Sequence, residues 1–533
     1  MKIRTSDYKK SMVEENKQKE NILTVPRPPI VVVLGHVDSG KTTILDAIRK
    51  THVADKESGG ITQHVGAYEV VVPPEGQPDI LPRQSTGQDD RTRTITFIDT
   101  PGHEAFSAMR SRGAKVADIA VLVIDSVSGI QPQTKEAISH IKKAGISLIV
   151  AFNKIDLPSA NPERIKNDLM KEGIQVESFG GKIPSIEVSG KTGKGIDALL
   201  EMILLIAEME GFKADLDKAA EGVVIEAYLD NLKGPIATLL LRQGRLQIGD
   251  IIGTPTTFGK IKGMEDFKHL SLTEALPSMP VVVMGLADVP HVGDKVKVFP
   301  NPDEAKLYIQ KKERKAGQSS VIMIEEGKKV LNLILKADVS GSLEAIEEVL
   351  SGLPQEKIVL RILDKQVGEV NENDIKLAEA SKAVILSFRV KLDSTALVLK
   401  ERSRTRVLSF DIIYTLAQAV RQLMENALEP EVFRKTIAKL KVLAIFKIDK
   451  NREIIGGKVI EGEIKKGAKL EVWRQQECLG KGKLISLQEN KKDVFSVPKG
   501  REAGILFEGG IKIQEGDIIE AFEEESKKAE LEI

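Results

Sequence analysis

One cysteine, Cys478, in 533 residues excludes an intrachain disulfide and fits a reducing compartment. Neither sign of charge is in excess: Lys+Arg and Asp+Glu both number 78, and the pI is about 7.1. Global charge therefore does not point to nucleic acid, and any such contact has to come from local patches. No apolar run is long enough to span a bilayer. The stretch from Met1 to Thr24 mixes Lys with Glu and lacks an apolar centre, so it does not read as a secretory signal. Its acids also argue against a mitochondrial transit peptide. The expectation is a cytoplasmic protein with no membrane partner. The length implies roughly three to five domains, since single cores rarely outgrow about 250 residues.

What is present is a set of loops that each follow a strand-like run. The first is Gly35-His36-Val37-Asp38-Ser39-Gly40-Lys41-Thr42, a G-x-x-x-x-G-K-[ST] phosphate loop between the apolar run Ile30 to Leu34 and a helical pattern, Thr42 to Lys50. Its backbone N–H groups can curl around phosphates, Lys41 can reach the outer phosphates, and Thr42 offers a hydroxyl to Mg²⁺. Thr43 completes this nucleotide-binding stretch. The second loop, Asp99-Thr100-Pro101-Gly102, follows Ile95 to Ile98. Its carboxylate can hold Mg²⁺ through water, and the Gly102 N–H can contact a γ-phosphate.

The third loop, Asn153-Lys154-Ile155-Asp156, follows Ser147 to Phe152. Asn153 can bond a purine edge, and the Asp156 carboxylate can accept two N–H bonds from guanine that adenine cannot supply. The fourth, Ser189-Gly190-Lys191, follows Ile183 to Val188. Four loops at the carboxyl ends of strands describe one nucleotide crevice on an α/β sheet, and the bound nucleotide is GTP or GDP.

Punctuation divides the rest. The fold class is multidomain, α/β and β. A flexible N-terminal tail, residues 1–28, leads into a P-loop GTPase domain, 29–212, and then a β-barrel, 219–300. A linking helix, 301–318, starts at Pro302 and carries Lys311, Lys312, Arg314 and Lys315 near its end, which reads as a solvated helix terminus rather than a nucleic-acid patch. Next come a small α/β/α domain, 319–408, a long linking helix, 409–431, a second β-barrel, 434–524, and a tail, 525–533. The helix places Ile413, Leu416, Val420, Leu423 and Ala427 on one face.

The two barrels look like copies. Gly244-Arg245-Leu246-Gln247-Ile248-Gly249 recurs as Gly462-Glu463-Ile464-Lys465-Lys466-Gly467, and Gly293-Asp294 recurs as Gly516-Asp517. From Arg434 to Ala521 there are 19 Lys/Arg against 13 Asp/Glu, an excess that fits a solvated surface as well as it fits RNA.

Three stretches together carry a family resemblance: GHVDSGKTT from Gly35, GGITQHVGA from Gly59 to Ala67, and DTPGHEAF from Asp99 to Phe106. The chain resembles translation initiation factor two, the GTPase that places initiator tRNA on the ribosome, and His64 favours the bacterial branch. The resemblance runs from Arg27 to Phe522. It implies that Thr62 closes onto Mg²⁺ beside Thr42 and Asp99 when a γ-phosphate is present. It also implies that His103 positions the attacking water once the ribosome locks it in place. By position alone, His103 serves equally well as a capping or core residue.

Val37 and Ile61 would form an apolar gate in front of His103, and Asp38 would hold a monovalent cation near the phosphates. The second barrel would hold the aminoacyl end of initiator tRNA, with contacts at Gly457, Glu502 and Ala503. The implied partners are the ribosomal subunits and their RNA, with a monomer off the ribosome. The chain departs from the family pattern at several points. Ser39 stands where most bacterial relatives carry histidine, and Gly457 and Ala503 stand where the family usually has cysteine. Gln488-Glu489 replaces a basic residue. An insertion rich in Pro, Gly, Gln and Asp lies between Gly66 and the strand at Ile95 and is expected to form a surface loop near the switch, and the chain is expected to lack the long N-terminal extension of many bacterial members. Two other readings stay open: a ribosome-associated assembly or recovery GTPase without initiator selectivity, and a GTP-gated scaffold with negligible turnover.

Overall fold

The computed structural model describes residues 24–50, 65–73, 93–102, 104–316, 329–428, 431–449, 452–475 and 477–527. The chain forms two compact units, one up to Val420 and one from Arg421. The first domain is a six-stranded sheet. Its elements are β1 (Ile30–Gly35), α1 (Lys41–Arg49), β2 (Gly66–Val71), β3 (Thr94–Asp99), α2 (Ser107–Val116), β4 (Ile119–Asp125), α3 (Pro132–Ala144), β5 (Ser147–Asn153), α4 (Pro162–Lys171), β6 (Ser185–Glu187) and α5 (Ile196–Glu210). The strand order is β2-β3-β1-β4-β5-β6, with only β2 antiparallel to its neighbour. β1 and β3 are buried along their whole length because helices cover both faces, which is why they read as unbroken apolar runs.

β2 corrects the sequence reading. The stretch after Gly66, expected to be an inserted loop, begins with an edge strand in which Gly66 pairs with Asp99 and Tyr68 with Phe97. The alternation in Ala-Tyr-Glu-Val-Val is too short to stand out before the prolines that follow. Residues 74–92, the remainder of that insertion, lie outside the described residues, as do most of both tails.

Both barrels close into rings of six antiparallel strands. The first uses β7 (Glu221–Asp230), β8 (Gly234–Gln243), β9 (Ile251–Gly253), β10 (Phe258–Glu265), β11 (Pro280–Leu286) and β12 (Lys295–Phe299). Around the ring the order is β7-β8-β11-β10-β9-β12 and back to β7. α6 (Pro302–Ala316) follows and packs on this barrel through Ala305 and the Phe299–Tyr308 ring pair.

The α/β domain comprises β13 (Lys329–Ala337), α7 (Ser340–Ser351), β14 (Ile358–Val367), α8 (Glu372–Ser381), β15 (Val384–Phe388), α9 (Ser394–Ser403) and β16 (Val407–Phe410), with a parallel sheet in the order β14-β13-β15-β16. Its core holds a buried ion pair, Lys336 to Asp374 at 2.9 Å. α10 (Ile413–Ala427) is shorter than the expected 409–431 helix, because residues 407–410 are claimed by β16 and Glu431 opens the next barrel. Ile413, Leu416, Val420 and Leu423 are buried, as their spacing requires.

The second ring is built from β17 (Glu431–Asp449), β18 (Arg452–Lys465), β19 (Lys469–Arg474), β20 (Glu477–Glu489), β21 (Glu502–Glu508) and β22 (Ile518–Lys527). Its order, β17-β18-β21-β20-β19-β22 and back to β17, repeats the first ring strand for strand. The repeated turns match at the level of single hydrogen bonds. Val224 N donates to Asp294 O and Gly293 N to Val224 O, while Val442 N donates to Asp517 O and Gly516 N to Val442 O. Gly244 and Gly462 adopt φ of 69° and 71° at equivalent strand ends. The paired carboxylates differ in partner: Asp294 accepts from the Thr256 hydroxyl, Asp517 from the Arg474 guanidinium.

Candidate functional site

The carboxyl ends of β1, β3 and β5 bring three of the sequence loops together, and Asn153 ties two of the four to each other. Its Nδ2 donates to Ser39 O at 2.8 Å in the phosphate loop, and its Oδ1 accepts from Gly190 N at 3.0 Å in the Ser-Gly-Lys loop. The amide is 2% exposed, so its engagements are first with the protein itself. Gly40, which starts α1 at φ 86°, makes this approach feasible, since a Cβ there would lie 2.2 Å from Asn153 Nδ2.

Lys41 is folded back onto the loop. Its Nζ donates to Gly35 O at 3.1 Å and His36 O at 2.7 Å. Burial pulls its pKa down to about 8, a shift opposed by the Asp99 carboxylate. Gly102 lies against it: a Cβ on Gly102 would sit 2.3 Å from Lys41 Nζ and 3.2 Å from Val37 N. Ser39, the departure from the family pattern, closes the loop on itself through Oγ to His36 O at 2.9 Å. A cavity of about 290 Å³ opens beside the loop, lined by His36, Val37, Asp38, Ser39, Asp125, Ser128, Gly129, Gln131 and Thr134.

Asp156 lies on the surface, where its Oδ1 accepts from the buried Ser189 hydroxyl at 2.7 Å. That bond holds its carboxyl below the usual range and aims the side chain. Lys154, at φ 63°, pairs with Asp125 at 3.0 Å. Lys191 is exposed at the end of the fourth loop, and Thr43 is exposed on the first turn of α1. Thr42, also in that turn, and the buried Asp99 supply hard oxygen donors, the chemistry that magnesium requires. Thr62, Ile61 and His103 lie outside the described residues.

Several site residues escaped the sequence reading. Gln133 Oε1 on α3 accepts from Val37 N at 3.0 Å, and three residues on, Glu136 takes both oxygens to Arg110 Nη2 at 2.8 Å. Arg110, on α2 and fully buried, donates in turn to Pro101 O at 3.1 Å and Glu104 O at 3.4 Å, the carbonyls on either side of Gly102 and His103. One turn of α3 thus holds both the phosphate loop and the Asp99–Gly102 loop. No short motif marks these residues, because Gln133 and Val37 stand 96 positions apart.

In the second barrel, Gly457 pairs directly with Ala503, and Lys458 with Glu502. Gly457 and Ala503 point into the core, where a Cβ on Gly457 would meet Leu440 Cδ2 at 2.3 Å, while Glu502 is exposed on the outer face. The three are neighbours in register but do not share a surface.

Three family models match the chain: Elongation factor Tu GTP binding domain at residues 27–209, Elongation factor G domain 2 at 219–299, and Translation-initiation factor 2 at 306–421. The chain is 42% identical over 534 residues to Translation initiation factor IF-2 of Caldanaerobacter subterraneus subsp. tengcongensis, covering 98% of this chain and 73% of that protein. It is 40% identical over 537 residues to the factor of Thermoanaerobacter sp., covering 98% and 75%, and 44% identical over 523 residues to that of Synechocystis sp., covering 95% and 51%. It therefore spans from 51% to 75% of these relatives' own length. Among solved structures it is similar to GDP-bound aIF5B from Aeropyrum pernix, at 27% identity and a TM-score of 0.44, covering 93% of this chain and 92% of that one. Identity at this level along nearly the whole chain shows the family: this is a GTPase of translation initiation, a member of the translation initiation factor IF-2 family.

Proposed function

We propose that this GTPase works on the ribosome, promoting the binding of initiator tRNA to the small subunit and the joining of subunits, and that it acts as a cytoplasmic monomer between rounds. Asn153 carries the reading: it joins the phosphate loop to the loop behind the base, so the groups that would grip phosphates and guanine form one unit. Asp156, aimed by Ser189, reads the guanine N–H groups, and Lys41 leaves the Gly35 and His36 carbonyls for the phosphates. Thr42, Thr62 and, through water, Asp99 would hold magnesium, which would neutralise charge on the outer phosphates. Asp38 would face a monovalent cation, and Val37 and Ile61 would gate His103, which would orient the attacking water for in-line transfer. No helix among the described residues is long and apolar enough to cross a membrane.

His103→Ala tests the mechanism: ribosome-stimulated GTP hydrolysis should collapse while GDP binding persists, and unchanged turnover would refute it. Initiator selectivity is read by protection of the formylmethionyl-tRNA ester against hydrolysis by the full chain. A second reading, in which the last barrel does not select the formylmethionyl end, draws on the burial of Gly457 and Ala503 away from Glu502. Equal protection of formylated and unformylated tRNA would favour it.

A further inference from the structure

Arg49 has no part in the nucleotide chemistry above, yet it stands beside the carboxylate at its centre. It is the last residue of α1, and its Nη2 lies 3.8 Å from Asp99 Oδ2, within ion-pair reach. Its guanidinium carbon sits 3.5 Å from the centroid of the Tyr68 ring. Tyr68 is itself immobilised: it is 4% exposed, pairs with Phe97 across β2 and β3, and stacks on that ring at 5.7 Å and 24°. The sheet thus sets the ring, the ring sets the guanidinium, and the guanidinium faces Asp99. A cation over a desolvated aromatic face is attracted by the ring's negative π-cloud, and the planar guanidinium of arginine suits such stacking.

We propose that Arg49 is a resident counter-cation of Asp99, a positioning residue that competes with magnesium for this carboxylate and loosens the metal's hold on bound nucleotide. The inference rests on reading Asp99 as the magnesium carboxylate. The chemistry is like-charge repulsion: a divalent ion brought to Asp99 meets a fixed positive charge that Tyr68 keeps from swinging away. A cation at the end of α1 would also favour the helix dipole. That role would affect stability and leave the response to magnesium untouched.

The experiment loads the full chain with a fluorescent GDP analogue and follows its release over a series of free Mg²⁺ concentrations, from chelator to millimolar. Arg49→Gln should lower the Mg²⁺ concentration giving half-maximal slowing of release by on the order of tenfold. Tyr68→Leu should shift it the same way by less, and Tyr68→Phe, which keeps the ring face, should leave it in place. A midpoint unchanged in Arg49→Gln, or moved to higher Mg²⁺, overturns the proposal. Asp99→Asn separates the two readings. Loss of the Mg²⁺ response in Asp99→Asn leaves any failure with Arg49, whereas a retained response would remove the reading of Asp99 on which the proposal stands.

Discussion

Replacing Glu136 with Ala should destabilise the first domain far more than its surface position on α3 suggests. Its partner Arg110 has a fully buried side chain, whereas Glu136 is 27% exposed. Removing one member of a buried pair strands the other charge, at a cost of about 3–5 kcal/mol. Water can reach the Glu136 side, which places the expectation near about 3 kcal/mol. For a domain of this size that corresponds to a fall in Tm of roughly 6–12 °C.

The assay is calorimetry of the full chain, reading the transition that GDP shifts upward, since a ligand of the folded state marks the nucleotide domain. The double variant Arg110→Met, Glu136→Leu removes both charges and should recover most of the lost stability. It should not recover GTP turnover, because the hold on Pro101 O and Glu104 O goes with the guanidinium. A Glu136→Ala loss below about 1 kcal/mol, or a double variant as unstable as the single, would refute the reasoning. The pH response has a definite sign. Burial opposes ionisation of Glu136, but hydrogen bonds from Ser107 and Arg110 outweigh it and hold the carboxyl below its ordinary value. Its contribution is therefore present at neutral pH and lost as pH falls through the depressed value.

Three further outcomes follow from the same geometry. Lys41, at about 8 in the fold against 10.5 unperturbed, is protonated below pH 8 whether folded or unfolded, and phosphate contact should raise its pKa. Nucleotide binding should therefore take up protons at pH 8.5 and not at pH 6.5, and calorimetry in buffers of different ionisation heat that showed no uptake at the higher pH would contradict this. Asp156→Asn should cost about a hundredfold in GTP affinity and favour xanthosine triphosphate; a retained preference for GTP in competition binding would remove Asp156 as the base reader. Hydrogen bonding from Arg474 holds Asp517 below the usual carboxylate range, so Asp517→Asn should weaken the second barrel at neutral pH and matter progressively less as acid protonates the native residue. Equal melting shifts for the variant at pH 7 and pH 3 would rule that out.

Much of the site was legible because it is built from contiguous backbone. A phosphate loop needs its glycines and lysine within eight residues, and the Asn153–Asp156 and Ser189–Lys191 loops are equally local. The barrel repeat was legible for a similar reason: its turns demand glycine at left-handed positions, which leaves a mark on the sequence even where the strands between have diverged. The supports were not legible. Gln133, Glu136, Arg110 and Arg49 act on partners set by tertiary packing, and a glutamine or arginine on an amphipathic helix has the same sequence signature whether it faces water or a carbonyl. β2 stays hidden in the sequence because an edge strand of six residues that merges into prolines offers too little alternation to register. The split of Gly457 and Ala503 from Glu502 follows from strand alternation, and needed only the register to be visible.

The paired rings set one architecture twice inside one molecule. What the two rings share is strand order, turn glycines at left-handed positions and a carboxylate at the closing turn. That carboxylate holds the same position in both rings with different partners, a hydroxyl in the first and a guanidinium in the second. The outward faces carry no such obligation, so the barrel behaves as a chassis on which recognition surfaces can be rebuilt. Transplanting outward-facing residues of the second ring onto the first should therefore move binding without moving the fold.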